Sequence, residues 1–289
     1  MSTALSHEST NNTTPVEILT DARHGWRKNA RQTDVICLGN KSKKVVAYSV
    51  VTADDDACAQ RHESVGTKRI YTSLEQQGGR IGTHAHDNNA SISKYVREEH
   101  PTTINQLDNW HALKQLEKSL KTISEGPKKS LGITWHEELI DKPHPIRTHA
   151  YYALKNCGGD AETLKTILRN SIEHYKGNHS NCFTESRCKR EPLYESRRRR
   201  ITDPVAENLL RTALEKSVII RKAELFVHNM STASVESFNN TLNVLHDKRI
   251  SFGDKTYKMK TALAVGFWNE GKAKFREQVW KTHVQNLNK

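Results

Sequence analysis

A chain of 289 residues with 35% hydrophobic content can bury one substantial core and a second, smaller one. Its 45 Lys and Arg against 33 Asp and Glu leave a net charge of +12. That balance favours a polyanionic partner, because neutralising phosphates releases their condensed counterions. No stretch approaches the roughly 20 apolar residues that span a bilayer, and the polar start MSTALSHESTNNTT is no signal peptide, so a soluble, intracellular protein is expected. Five cysteines (Cys37, Cys58, Cys157, Cys182, Cys188) are an odd number without a secretory context, which favours thiols or metal ligands over a disulfide framework.

In chain order, residues 1–14 are rich in Ser, Thr and Asn and read as a disordered lead-in. VEIL then ends at Asp21, and TDVICLGN and KVVAYSVVT follow as two further strand-like runs separated by turn signals such as GNKSKK. HESVGTKRIYTSLEQQGG reads as a helix closed by its glycine pair, RIGTHAH as a strand, NASISKYVREEH as a helix and TTINQL as a fifth strand. HALKQLEKSLKTISEG is an amphipathic helix, with Leu113, Leu116 and Leu120 three and four residues apart. Residues 15–125 therefore carry the order β-β-β-α-β-α-β-α, which is that of a ribonuclease H-like α/β core: an antiparallel meander joined to parallel strands by crossover helices.

That order gives two acids a meaning. The first and fourth strands are neighbours in such a sheet, so Asp21 and Asp87, at or just past their C-terminal ends, can meet. Two carboxylates held together repel unless cations lie between them. A Mg²⁺ or Mn²⁺ pair about 3.5–4 Å apart is the usual device for activating an attacking oxygen and stabilising the leaving one. The competing reading for Asp87, which precedes NNASIS, is a helix cap.

Residues 126–225 read as a mainly helical insertion. Within it, HYKGNHSNCFTESRC sets His174, His179, Cys182 and Cys188 close together, a full tetrahedral set for one structural Zn²⁺. Lys189 and Arg190, then Arg197, Arg198, Arg199 and Arg200, form two basic clusters suited to a nuclear import signal or a phosphate-contacting arm. Asp203 and Pro204 open the next helix as N-cap and first helical residue. Residues 226–289 read as C-terminal helices that complete the core. There SVESFNNTLNVLHDK puts Val235, Phe238, Leu242 and Leu245 on one face, with Glu236 at its border, where a helix packed on the sheet would lay it over the aspartates.

TDARHGW, HAHDNNASISKYV, the D-x-x-H element Asp108-Asn109-Trp110-His111 with Lys114, and STASVESFNN resemble the catalytic core of eukaryotic cut-and-paste DDE transposases, in particular the Kolobok-type and related Mutator-like group. The resemblance covers roughly residues 15–275. It implies Asp21, Asp87 and Glu236 as the metal-binding triad, and Asp108 with His111 as a supporting pair that contacts DNA or orders the site. It also implies transposon ends and target DNA as partners, a nuclear location and self-association into dimers or larger assemblies. Relatives carry an N-terminal DNA-binding domain, whereas here only about twenty residues precede Asp21, and Asn88 and Asn89 replace the basic or His residue that follows the second acid. Two alternatives stand beside strand transfer: a domesticated or truncated, catalytically inactive DNA-binding protein, and a ribonuclease H-like nuclease acting on RNA–DNA hybrids or branched DNA.

Overall fold

In the computed structural model, residues 2–8, 14–25, 30–191 and 193–287 are described. In chain order the elements are α1 (Ser2–Ser6), β1 (Val16–His24), β2 (Gln32–Gly39), β3 (Val45–Thr52), α2 (His62–Gln76), β4 (Ile81–His86), α3 (Ala90–Glu99) and β5 (Ile104–Leu107). Then follow α4 (Asn109–Ser124), α5 (Pro143–Asn156), α6 (Ala161–Tyr175), α7 (Arg187–Arg190), α8 (Pro204–Lys216) and α9 (Val218–Arg221). The chain closes with α10 (Ala233–Leu245), α11 (Asp254–Glu270) and α12 (Lys272–Leu287). Two compact units result: residues 1–105 with 231–289, and residues 106–230. The helical unit thus begins before α4, some twenty residues ahead of the boundary expected from composition at 126. Of the expected disordered lead-in, residues 1 and 9–13 lie outside the described residues. Ser2–Ser6 instead form α1, with Ala4 and Leu5 buried, and the Glu8 carboxylate accepts from the backbone of Lys41 and Ser42.

The sheet is mixed, in the order β3-β2-β1-β4-β5. β1 runs antiparallel to β2, β2 antiparallel to β3, and β1 parallel to β4. Successive side chains on a strand point to opposite faces, so each strand supplies two packing surfaces. On one face Val16, Ile18, Val35, Cys37 and Ala47 join Ile70, Tyr71 and Leu74 of α2 and Ile92 and Val96 of α3 in one core cluster. Gly66 of α2 sits where a Cβ would come within 2.4 Å of Val35, so that helix approaches β2 too closely for any other residue. The odd-numbered residues of β1 face α10 and α11: Asp21 meets Asn239, and Arg23 meets Asn243, His246 and Tyr257. Asn269 of α11 bonds both the N–H and the C=O of Val45, satisfying the edge strand β3 as a further strand would.

Arg23 and Asp34 are fully buried opposite each other, and they organise this second face. Arg23 Nη1 lies 3.2 Å from Asp34 Oδ2, Nη2 donates to the carbonyl of His246 at 2.5 Å, and Nε donates to Asn243 Oδ1 at 3.0 Å. Asp34 also accepts from the Tyr257 hydroxyl at 2.6 Å and the Thr261 hydroxyl at 2.7 Å. Every element of the unit's C-terminal half that packs here is therefore bonded to one ion pair.

In the second unit, α4, α5, α6, α8 and α9 enclose a core of Leu113, Leu116, Leu154, Leu168, Leu210 and neighbours. Among the described residues, no helix is long and apolar enough to cross a membrane.

Removing one member of a buried pair strands the other's charge, so Arg23→Leu should lower stability by about 3–5 kcal/mol in urea denaturation, and Arg23→Leu/Asp34→Leu should recover part of that loss. A single-variant loss below about 1 kcal/mol would show that the pair does not hold α10 and α11 in place.

Candidate functional site

Leu19 pairs with Ala85 in the β1–β4 ladder, and Asp21 and Asp87 each follow two residues later. β1 continues past Asp21 to His24, so Asp21 lies within the strand rather than at its end; it is the parallel neighbour β4 that stops, at His86. Asp21 Oδ1 accepts from the Ala22 N–H at 2.8 Å, and Oδ2 accepts from Asn239 Nδ2 at 2.8 Å. Burial, then the charge of Asp87, pushes the Asp21 carboxyl up from 3.8 to about 7, with Glu63 adding to the repulsion.

Glu63, in the first turn of α2, went unnoticed in the sequence. Its pKa is raised by burial and by Asp87, and its Oε2 accepts from Asn89 Nδ2 at 2.8 Å. Asn89 also caps α3, its Oδ1 accepting from Ser91 N at 2.9 Å. The capping role weighed for Asp87 thus falls to Asn89. Asp87 is the acid whose charge acts on both Asp21 and Glu63.

Glu236 is exposed on α10. It shares a stripe with Asn239 and Asn243, three and seven residues on, and both of those side chains reach β1, at Asp21 and Arg23. Val235, Phe238 and Leu242 form the adjoining buried stripe, as the spacing predicts. In the second unit Asp108 caps α4, its Oδ2 accepting from the His111 N–H at 2.8 Å and lying 2.6 Å from His111 Nδ1.

His174, His179, Cys182 and Cys188 converge, with one potential ligand atom from each lying within 4.8 Å of the others. The Nδ1 atoms of His174 and His179 are 3.2 Å apart, and Cys182 Sγ lies 3.4 Å from the first and 3.7 Å from the second. A tetrahedral ion with ordinary Zn–N and Zn–S bonds would separate nitrogens by about 3.3 Å and nitrogen from sulfur by about 3.6 Å, so the donors fit one ion. Gly177, at φ +83°, ends α6 and lets the chain turn back over His174. Burial, then His179, lowers His174 to about 4, while burial and Cys188 push Cys182 up to about 11. A cavity of about 600 Å³ lies beside the group, lined in part by Tyr152, Ile167 and Phe183.

The basic residues differ in their engagement. Lys189 Nζ donates to Ser180 O at 2.9 Å, and Arg200 Nε donates to Lys176 O at 2.7 Å. Buried Lys142 donates to Arg199 O, and Asp141 accepts from Arg199 N at 2.9 Å, so the arm's backbone is docked. Arg190 and Arg197 to Arg200 remain exposed.

Residues 56–188 match the family model of Mutator-like transposases. That match spans somewhat under half of the chain and supports a transposase family; no curated protein matches.

The carboxyl shift has a measurable sign. An acid whose folded pKa is raised costs nothing below the unfolded value, 3.8, and destabilises increasingly as pH climbs through the folded value of about 7. The full cost is up to about 4 kcal/mol. Asp21→Asn keeps the Ala22 bond, and the Asn239 amide can turn to present its Oδ1, a buried atom with no hydrogen-bond partner among the described residues. In EDTA the variant should therefore be more stable than wild type by roughly 1–3 kcal/mol near pH 8 and equal to it near pH 4. A less stable variant near pH 8 would overturn the repulsion argument.

Proposed function

We propose that the chain is the catalytic core of a transposase-type enzyme that cuts and joins DNA strands, with Asp21, Asp87 and Glu236 as the acids of a two-cation phosphoryl-transfer site. The observation that carries this reading is the Asp21–Asp87 pair: mutually repelling carboxylates at adjacent strands in a chain of net charge +12. Three further points support it. The sheet order, with an antiparallel meander and a parallel fourth strand, agrees with the one expected of a ribonuclease H-like core; residues 56–188, which include Asp87 but neither Asp21 nor Glu236, match the model of Mutator-like transposases; and TDARHGW, HAHDNNASISKYV and STASVESFNN resemble the motifs of the Kolobok-type group.

Mg²⁺ or Mn²⁺ held by these acids would supply activation of the attacking oxygen and charge neutralisation at the leaving one. The chain's own part is positioning. The Ala22 N–H and the Asn239 amide orient Asp21, while Arg23 anchors the C-terminal end of the helix that carries Glu236. Asp108 caps α4 and orients His111, which is half exposed and able to donate to a phosphate. The exposed arginines at 197–200 bind backbone phosphates of transposon ends or target DNA, and self-association and a nuclear location belong to the same reading.

Purified full-length chain with Mn²⁺ and duplexes bearing candidate terminal repeats should yield nicked and joined products, and Asp21→Ala should reduce both by at least about 100-fold. DNA binding without nicking would identify an inactive transposase-derived DNA-binding protein. Cleavage without joining, or preference for RNA–DNA hybrids, would identify a nuclease.

In the same reading the His174, His179, Cys182 and Cys188 group holds one structural Zn²⁺, which fixes the segment from α6 into α7, where Lys189 lies. Protein purified without chelator should carry about one zinc per chain, and Co²⁺ substitution should give a thiolate charge-transfer band that Cys182→Ser weakens. Metal-free protein of unchanged thermal stability after chelation would refute the zinc assignment.

A further inference from the structure

The segment from α6 into α7 holds two of the chain's five cysteines, Cys182 and Cys188, six residues apart. Both are partly exposed, and their sulfurs lie within 4.8 Å of each other. A disulfide sets its sulfurs about 2.05 Å apart, so the two need to close by less than about 3 Å, which rotation of the two side chains between staggered positions supplies. The turn between them is already formed. Cys182 N–H donates to His179 O at 3.1 Å, Ser186 N–H donates to Phe183 O at 3.0 Å, and Ser186 Oγ lies 3.2 Å from Cys188 Sγ. Little conformational entropy is therefore left to lose when a ring this short closes.

A second observation gives a small reagent access to the pair. Both cysteines line the cavity of about 600 Å³, together with Phe183 and Ser186, so a molecule the size of a peroxide reaches either sulfur. The other thiols differ: Cys37 and Cys157 are buried, and Cys58 is partly exposed in the first unit. A sulfenic acid formed at a lone thiol waits for a partner, whereas one formed at Cys182 or Cys188 has its partner within reach.

We propose that Cys182 and Cys188 form a reversible disulfide on exposure to a peroxide, and that this disulfide and the bound metal are alternative states of one segment. In the thiol form, one thiolate attacks a peroxide oxygen and the O–O bond breaks, leaving a sulfenic acid and, once the departing hydroxide takes up a proton, water. The second thiol then displaces the sulfenic hydroxyl as water and the S–S bond forms. The sum is two thiols and one hydrogen peroxide giving one disulfide and two waters, with each sulfur giving up one electron. Disulfide sulfurs carry no thiolate charge, so His174 and His179 alone remain as donors and a tetrahedral ion is lost. The alternation with metal rests on the zinc reading of the proposed function; the disulfide rests only on the two thiols.

The test treats the full-length chain, metal-free or zinc-loaded, with hydrogen peroxide, then alkylates it under denaturing conditions and maps it by mass spectrometry. In the metal-free chain two hydrogens should be lost, the peptides bearing Cys182 and Cys188 should be the linked pair, and dithiothreitol should restore both thiols. Cys182→Ser and Cys188→Ser should each abolish the link, and Cys58→Ser should keep it. In the zinc-loaded chain, the zinc retained after gel filtration should fall by about 10-fold as the link forms and return only after reduction. Sulfenic or sulfinic products at these cysteines without a link, or a link through Cys58, would overturn the disulfide; the wild-type chain alone reads this out should either Ser variant fail to fold. A link that forms while zinc stays bound, or in a chain that takes up no zinc when reduced, overturns the alternation and the zinc reading and leaves the disulfide standing.

Discussion

The first unit depends on one buried ion pair. Arg23 and Asp34 sit on neighbouring antiparallel strands, and between them they bond Asn243 and the His246 carbonyl at the end of α10 and Tyr257 and Thr261 of α11. Taking two charges out of water costs several kcal/mol each, and the pair is tolerable only because nearly every donor and lone pair is used. Geometry is what the cost secures. Apolar packing alone would let α10 slide or roll on the sheet, whereas a guanidinium with fixed donor directions sets the register of the helix against β1. With Arg23 bonded at Asn243 and His246, Asn239 falls one turn earlier, beside Asp21 two residues back along the strand. Asp21 and its structural anchor Arg23 are thus alternate residues of one strand face.

The acids pull against that order. Asp21 and Glu63 have carboxyls raised by burial and by Asp87, so the metal-free fold carries repulsion at neutral pH. The repulsion is local, bounded by the Ala22 and Asn239 bonds on one side and the Asn89 bond on the other. It is relieved by any divalent cation that enters.

How much of this could be read from the sequence varies with the range of the interaction. The eight elements from β1 to α4 follow from period-2 and period-3.6 patterns and from Gly and Asn punctuation, and they stand close to where the patterns put them, β1 running three residues beyond Asp21. The convergence of His174, His179, Cys182 and Cys188 is legible because four donors within fifteen residues have few ways to avoid one another. Glu63 was invisible because a first-turn glutamate is ordinary until the loop after β4 is brought against it. Asn239 carried a signal that could have been used: three residues after Glu236, it lies on the same helix face. Arg23 looked like one more basic residue in a basic chain, and only the alternation of β1, with Asp21 and Arg23 on one face, hints that it turns inward. Helix α1 arose inside a polar segment because its Ala4 and Leu5 find an apolar surface that composition could not foresee.

The two groups proposed to hold cations differ in a way that follows from chain topology. The His/Cys donors close a loop of fifteen residues at the end of α6, so little conformational entropy is lost in gathering them, and such a group forms or dissolves with its own segment. Asp21 and Asn239 are 218 residues apart and meet only when α10 has docked on β1. A cation at the acids therefore reads the completion of the whole first unit, including its C-terminal helices, whereas one at the His/Cys group reads only a local turn. Donor chemistry sorts the ions in the same sense: oxygens that exchange hard cations readily line the site where chemistry is proposed, and sulfur and nitrogen that hold a soft ion tightly line the site where shape is needed. A chain with these two donor sets exchanged would have a rigid reaction centre and a labile scaffold.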